Sequence, residues 1–317
     1  MPAQHGMSES PELGNPHHLS FGVPDVATAR DLVAKATGTR FTPVSTSTVS
    51  VRQAGEDQPR RVTLRRARSV RGSTVLELVE ADPPVGPWAP TAASPALSYA
   101  VPDAGDAALT ERLSSAGLRR IADGPGFAYW QGVGGVRVRL IEPDALPAAE
   151  QTDQPAPSLD LGPAASLTVS PEHAADVRTQ LSAALGLRWA PPMAFPLLWS
   201  WASGGRRLMV ATVVATYGVD PDATRVVMET PHHVPSTPDF ACAPGETPMH
   251  LAFFTSNLAA AHQQLVDAGM RLVGRVPGLV SYFFGPGSIR IEIARSAFKA
   301  AVPVTDALGR LTERLRR

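Results

Sequence analysis

The chain has 317 residues with 29 basic and 29 acidic side chains and no long run of either sign, a balance that offers no electrostatic footprint for nucleic acid or an anionic membrane. Its single cysteine, Cys242, excludes an internal disulfide and a thiolate zinc cluster and suits a reducing compartment. Residues 1 to 15 lack an apolar signal core and no later apolar run is long enough for a bilayer span, so a cytoplasmic protein with a disordered tail over 1–15 is expected.

The length exceeds one compact domain, so two are expected. Residues 18–38, HLSFGVPDVATARDLVAKATG, begin with an alternating strand and pass through Asp25 as N-cap into an Ala-rich helix, with Leu32 and Val33 inward and Gly38 as its stop. The period then switches to two and ends in STVLELVE at 73–80. Residues 96–117, ALSYAVPDAGDAALTERLSSAG, repeat the plan with Asp103 and Gly117, and GVRVRLIE at 135–142 closes it. A stretch rich in Pro, Ala and acidic residues follows, and 146–162 reads as a linker. The third copy, AASLTVSPEHAADVRTQLSAALG at 164–186, sets Ser170 or Pro171 at the helix start and Gly186 at its end, with TRVVMET at 224–230 as last strand. The fourth, HLAFFTSNLAAAHQQLVDAG at 250–269, uses Asn257 and Gly269 and finishes in SIRIEIA at 288–294. In the tail, Leu308, Leu311 and Leu315 are spaced as in a short amphipathic packing helix.

Strand, capped helix and glycine thus recur four times, which predicts four βαβββ modules and an α+β fold. The expected domains are 16–145 and 163–297, each of two modules, with a helical tail at 298–317. Residues 18 to 77 and 164 to 229 bracket long modules, and 96 to 139 and 250 to 292 short ones, so odd modules resemble odd and even resemble even.

Side chains alternate across a strand, so one face can pack on helices while the other lines a cavity. In SIRIEIA, Ile289, Ile291 and Ile293 share one face and leave Glu292 on the other; Glu77 likewise stands opposite Leu76 and Leu78. His18 is on the face of Ser20 and Gly22, whereas Leu19, Phe21 and Val23 face the helix, and His250 holds the same place before Leu251 and Phe253. A one-residue slip would put His17 there instead, but alignment with His250 selects His18. Two imidazoles and two carboxylates suit a divalent ion with room for water or substrate oxygens. The matching places of the other two modules hold Ala96, Arg139, Ala164 and Glu229, an eroded set in which an Arg139–Glu229 ion pair would replace a metal. Trp88, Trp199, Trp201, Tyr282 and Phe284 offer either aromatic walls or core packing, and His232 and His233 read as a surface turn. The GVGGVR turn at 132–137 has no following helix or lysine and is not a phosphate loop.

These repeats resemble the vicinal oxygen chelate superfamily, which includes glyoxalase I, methylmalonyl-CoA epimerase, extradiol dioxygenases and bleomycin-binding proteins. HLSFGVPD and VLELVE of module one, and HLAFF and IRIEIA of module four, carry the resemblance, which spans about residues 16 to 297. It implies modules paired into cupped mixed sheets with helices outside and metal ligands on first and last strands. As in fused four-module glyoxalases, modules one and four would face each other. That pairing would unite His18, Glu77, His250 and Glu292 around one divalent ion (Zn, Ni, Co, Mn or Fe), with Glu77 or Glu292 as base, and leave the inner modules metal-free. The activity implied is that of a metal-dependent lyase or isomerase, which acts on a small molecule with adjacent oxygens through an enediolate-like intermediate. Two alternatives stay open: a ring-cleaving extradiol dioxygenase, whose relatives take two His and one Glu from the second half, and a non-catalytic antibiotic-binding protein. A small-molecule substrate is the expected partner, in a monomer or homodimer.

Overall fold

The computed structural model describes residues 13–14, 16–70, 75–89, 95–145, 159–217, 225–232, 249–285, 289–297 and 301–316. Module one contains β1 (His18–Gly22), α1 (Val26–Thr37), β2 (Ser45–Gln53), β3 (Arg60–Arg68) and β4 (Val75–Asp82). Module two contains β5 (Ala96–Ala100), α2 (Ala107–Ser115), β6 (Arg119–Gly124), β7 (Phe127–Gln131) and β8 (Arg137–Ile141). Module three contains β9 (Asp160–Thr168), α3 (Ala174–Leu185), β10 (Met193–Trp201), β11 (Arg206–Ala215) and β12 (Arg225–His232). Module four contains β13 (Met249–Thr255), α4 (Leu258–Asp267), β14 (Arg271–Val276), β15 (Val280–Phe284) and β16 (Arg290–Arg295). A last helix, α5, spans Ala301–Arg316. The four expected βαβββ modules are present, and β9 starts inside the stretch assigned to the linker.

The helix stops follow the sequence signals closely. Asp25 accepts from Thr28 N at 2.6 Å and Asn257 from Ala260 N at 3.1 Å, while Gly38 and Gly186 take the left-handed conformation that a Cβ disfavours. Two starts differ. Asp106, not Asp103, caps α2 by accepting from Leu109 N at 2.7 Å, because Asp103 is spent on a turn to Gly105 N. Helix α3 begins after a turn at His173, with no side-chain cap, instead of at Ser170 or Pro171.

In every module the first and last strands pair in parallel, and the other pairs are antiparallel, so the sheets are mixed. Modules one and two close into one eight-stranded barrel and modules three and four into another. This corrects the expected pairing of module one with module four. One edge of β1 is taken by β4 and the other by β5, with His18 opposite Ser98, so no edge remains for β13. Strand β13 pairs with β9 instead, with His250 opposite Ser166. Neighbours in sequence have become neighbours in space, as short connections favour.

The helices lie outside both barrels and between them, α1 against α4 and α2 against α3. The largest apolar cluster runs through this layer, joining Val33 and Leu265 to the outward side chains Leu19, Leu76, Phe253 and Ile291. Hydrogen bonds tie the halves together: Lys35 Nζ donates to Asp267 O at 2.8 Å, and Val133 N in the GVGGVR turn donates to Gln180 Oε1 at 2.7 Å. Each barrel also has its own interior cluster, centred on Leu64, Trp88 and Phe127 in the first and on Trp199, Met209 and Val280 in the second. Helix α5 differs from the expectation of inward leucines: Leu308, Leu311 and Leu315 are exposed, and the helix is seated through Gly309, where a Cβ would strike the Tyr217 ring. Among the described residues no helix is long and apolar enough to cross a membrane.

The second barrel closes where β10 meets β14 through only two paired positions, one of them Trp201 with Gly274. A Cβ on Gly274 would lie 2.5 Å from Trp199 Nε1 and 2.7 Å from Cε2, and the buried indole has no room to retreat. Gly274→Ala should therefore cost about 1–3 kcal/mol by overpacking. A lowered thermal midpoint with a shifted tryptophan emission would bear this out, and an unchanged midpoint would refute it.

Candidate metal centre

Two polar clusters occupy the barrel interiors, one in each. In the first, alternation turns His18, Ser20, Glu77, Ser98 and Arg139 inward while Leu19, Leu76 and Leu140 face the helices. His18 and Glu77 are fully buried, with His18 Nε2 3.4 Å from Glu77 Oε2, whereas neighbouring His17 is exposed; the choice of His18 over His17 holds. The third member is Arg139, whose Nη1 donates to Glu77 Oε2 and lies 3.5 Å from Ser20 Oγ. The expected partner of Arg139 was Glu229; closure of modules one and two into one barrel gives it Glu77 instead.

That guanidinium sets the chemistry of the first barrel. Burial works to raise the Glu77 carboxyl, but the charge of Arg139 and the His18 hydrogen bond outweigh it and hold the group well below the ordinary carboxylate range. Burial pushes His18 down to about 4, against the pull of Glu77, so the imidazole is neutral at physiological pH. Arg139 thus already supplies beside Glu77 the positive charge that an ion would bring.

In the second barrel Glu229 on β12, His250 on β13 and Glu292 on β16 each offer a ligand atom, all within 4.8 Å of one another. Among the described residues this is the group with metal-binding composition and spacing. His250 Nε2 is 2.6 Å from Glu292 Oε2 and 3.9 Å from Glu229 Oε1. His250 is buried and the two carboxylates are partly exposed, so the cluster has one sealed side and one accessible side. Tyr282 on β15 forms a wall, its ring centroid 5.2 Å from that of His250, and its hydroxyl donates to Glu229 Oε2 at 3.2 Å. Trp199 lies behind Tyr282, with ring centroids 5.1 Å apart and planes tilted by 53°.

The electrostatics of this cluster show an excess of negative charge. Burial and then the nearby Glu292 carboxylate push Glu229 up, with His250 opposing. Burial would lower His250, but Glu229 and Glu292 together raise it above the ordinary histidine value. Tyr282 is raised well above its usual value, first by burial and then by both carboxylates, and keeps its proton. Two carboxylates and one imidazole that repel and protonate in this way fit a divalent cation, whose charge would relieve the repulsion. His250 Nε2 and Glu292 Oε2 share a hydrogen bond at 2.6 Å that an ion held by both would replace.

The four ligands read from the sequence are therefore not one site. His18 and Glu77 are together, His250 and Glu292 are together, and closed barrels separate the pairs. Glu229 is the residue that completes the second pair, where sequence reasoning had set it in a metal-free inner set. Its signal was present in the alternation of TRVVMET, at the position that matches Glu77 and Glu292. Trp88 is core packing that donates to Tyr129 Oη at 3.0 Å, and Phe284 sits between Arg271 and Arg290. His233, Cys242 and the side chain of Ala164 lie outside the described residues.

No sequence-family model matches the chain, and no curated protein does. Solved structures do. A mutant of 4-hydroxymandelate synthase from Streptomyces coelicolor is similar over 96% of this chain and 100% of its own, with a TM-score of 0.56 and 15% identity. Catechol 2,3-dioxygenase is similar over 90% and 88%, with a TM-score of 0.44 and 15% identity. The Mn(II)-bound glyoxalase from Novosphingobium aromaticivorans is similar over 90% and 82%, with a TM-score of 0.43 and 13% identity. The chain shares its fold, four βαβββ modules closed into two barrels, with 4-hydroxymandelate synthase.

The Arg139–Glu77 pair yields two expectations. Arg139→Met, which strands a buried carboxylate, should destabilise the protein by about 3–5 kcal/mol, whereas Glu77→Leu combined with Arg139→Met should recover most of that. Denaturant unfolding of the single and double variants checks it; equal losses in both would contradict the account. Because the folded pKa of His18 is depressed from 6.5 to about 4, the unfolded chain takes the proton first. Stability from this group is present above about 6.5 and lost as pH falls toward 4, roughly 3 kcal/mol in all, with Glu77 extending the loss at lower pH. Thermal melts should show this slope, and His18→Gln should flatten it between those pH values.

Proposed function

We propose that the second barrel is the reactive one and that the protein is a divalent-metal enzyme acting on a small molecule with adjacent oxygens, as a lyase or isomerase. The observation that carries this reading is the convergence of Glu229, His250 and Glu292 on one partly open point beside Tyr282. An ion bound there would supply Lewis-acid polarisation of substrate oxygens and room for them in its coordination shell.

The side chains divide the remaining work. His250, buried and tied to Glu292, is the rigid anchor. Glu229 stands 3.9 Å from His250 Nε2 and is the more loosely held carboxylate, so it is the better placed to accept a proton from the carbon next to a polarised oxygen. Tyr282 aims it by donating to its second oxygen. Glu77, one of the two bases expected from sequence, is paired with Arg139 in the other barrel and has no part in this reading. Trp199 and Tyr282 form an aromatic wall that would exclude water from one side of the site.

A ring-cleaving dioxygenase is the second reading, and one observation favours it: the cluster lies wholly in the second half, where the resemblance puts dioxygenase ligands. Against it, the donor set has one imidazole and two carboxylates instead of two imidazoles and one carboxylate.

Metal analysis of the full chain should find about one equivalent of divalent ion. His250→Ala should weaken binding tenfold or more, and His18→Ala should leave it intact. Equal binding by the His250 variant, or loss in the His18 variant, would place the ion elsewhere and end this reading. With the ion bound, Glu229→Gln should slow solvent deuterium exchange into hydroxyketone or thioester-acid substrates by about 10²–10⁴. Oxygen uptake without such exchange would select the dioxygenase.

A further inference from the structure

The first barrel contains a feature that its ion pair does not use. A cavity of about 740 Å³ opens at one mouth of this barrel and reaches inward to Arg66 and Arg139. Its walls are Val49, Leu64 and Phe127, and hydroxyl side chains such as Ser45 and Ser47 stand around the opening. This volume is within the range of small-molecule sites.

Among the described residues the charge at the inner end of the cavity does not balance: Arg66 and Arg139 both face Glu77, which is committed to Arg139, and His18 is neutral. Arg139 is 1% exposed, and its buried Nε has no hydrogen-bond partner. The Nε of Arg66 is likewise buried without a partner, although its terminal nitrogens donate to Ala145 O at 3.1 Å and Ser47 Oγ at 3.0 Å. Guanidinium donors left unpaired in an apolar barrel are costly, and a ligand carrying negative charge would satisfy them.

The rim carries the opposite sign. Glu142 and Asp144 line the opening, with Glu142 Oε1 engaged by Ala104 N at 3.1 Å. Two carboxylates at the mouth would repel a polyanion such as a phosphate ester while leaving a path for one carboxylate on an apolar body. We infer that the cavity of the first barrel is a binding site for a small apolar monocarboxylate, whose carboxylate meets Arg66 and Arg139 and whose body rests on Val49, Leu64 and Phe127. This site is separate from the carboxylate–histidine cluster and does not depend on the metal reading. The chain would then have one barrel for chemistry and one for recognising a small acid.

Benzoate is a suitable probe, with benzyl alcohol as its uncharged counterpart and inorganic phosphate as the polyanion, titrated calorimetrically into chelator-treated full-length protein. Benzoate should bind saturably and at least tenfold more tightly than either of the others. Arg66→Gln, which removes a donor, and Ser45→Trp, which fills the mouth but keeps every charge, should each weaken benzoate tenfold or more. His250→Ala should leave it unchanged. Thermal melts identify a variant that does not fold, and the Ser45 variant then decides. Benzoate no tighter than benzyl alcohol, full binding in the Ser45 variant, or loss in the His250 variant would each overturn the inference.

Discussion

The parallel pairing of first and last strands within each module governs everything else in this structure. Once β1 lies beside β4 and β13 beside β16, period-two alternation turns one face of both strands toward the helices and the other into a barrel. The outward face is mainly apolar and packs against the shared layer of four helices, with Glu80 at its end accepting from Val26 N of α1. Polar residues on the inward face then have no route to bulk solvent except through a barrel mouth, so each must find a partner inside or a ligand.

The two barrels answer that demand differently. In the first, Arg139 on β8 supplies a permanent cation to Glu77, and the imidazole of His18 stays neutral beside them. In the second, β16 carries Glu292 where β8 carries Arg139, so with Glu229 two carboxylates meet one imidazole and the cluster has an excess of negative charge. A single side chain in each case, guanidinium or carboxylate, decides whether the interior is self-neutralised or in need of a cation. The likeness in fold to 4-hydroxymandelate synthase covers both barrels but does not itself select either outcome.

The same comparison explains why the first barrel has polar capacity to spare. Among the described residues Arg66 and Arg139 share the one carboxylate Glu77, and both border a cavity. In the second barrel the surplus has the opposite sign and borders an aromatic wall. Complementary excesses in the two halves of one duplicated chain would suit two different small ligands.

The module order, the caps at Asp25 and Asn257, the glycine stops at Gly38 and Gly186 and the inward facing of His18, Glu77, His250 and Glu292 were all readable from the sequence. They depend on local periodicity and on interactions within a few residues. The cap at Asp106 was missed because two aspartates in PDAGDAA compete for one role, and only the turn at Gly105 separates them. Which ligands meet was a different kind of question. It rested on whether β1 gave its free edge to β5 or a module-four strand gained it, and edge pairing is a long-range choice with no trace in the alternation of either strand. The sequence by itself determined which residues point inward; tertiary closure alone decided that Arg139 neutralises Glu77 and that Glu229 joins His250 and Glu292, because side chains far apart in the chain meet only where the barrels close.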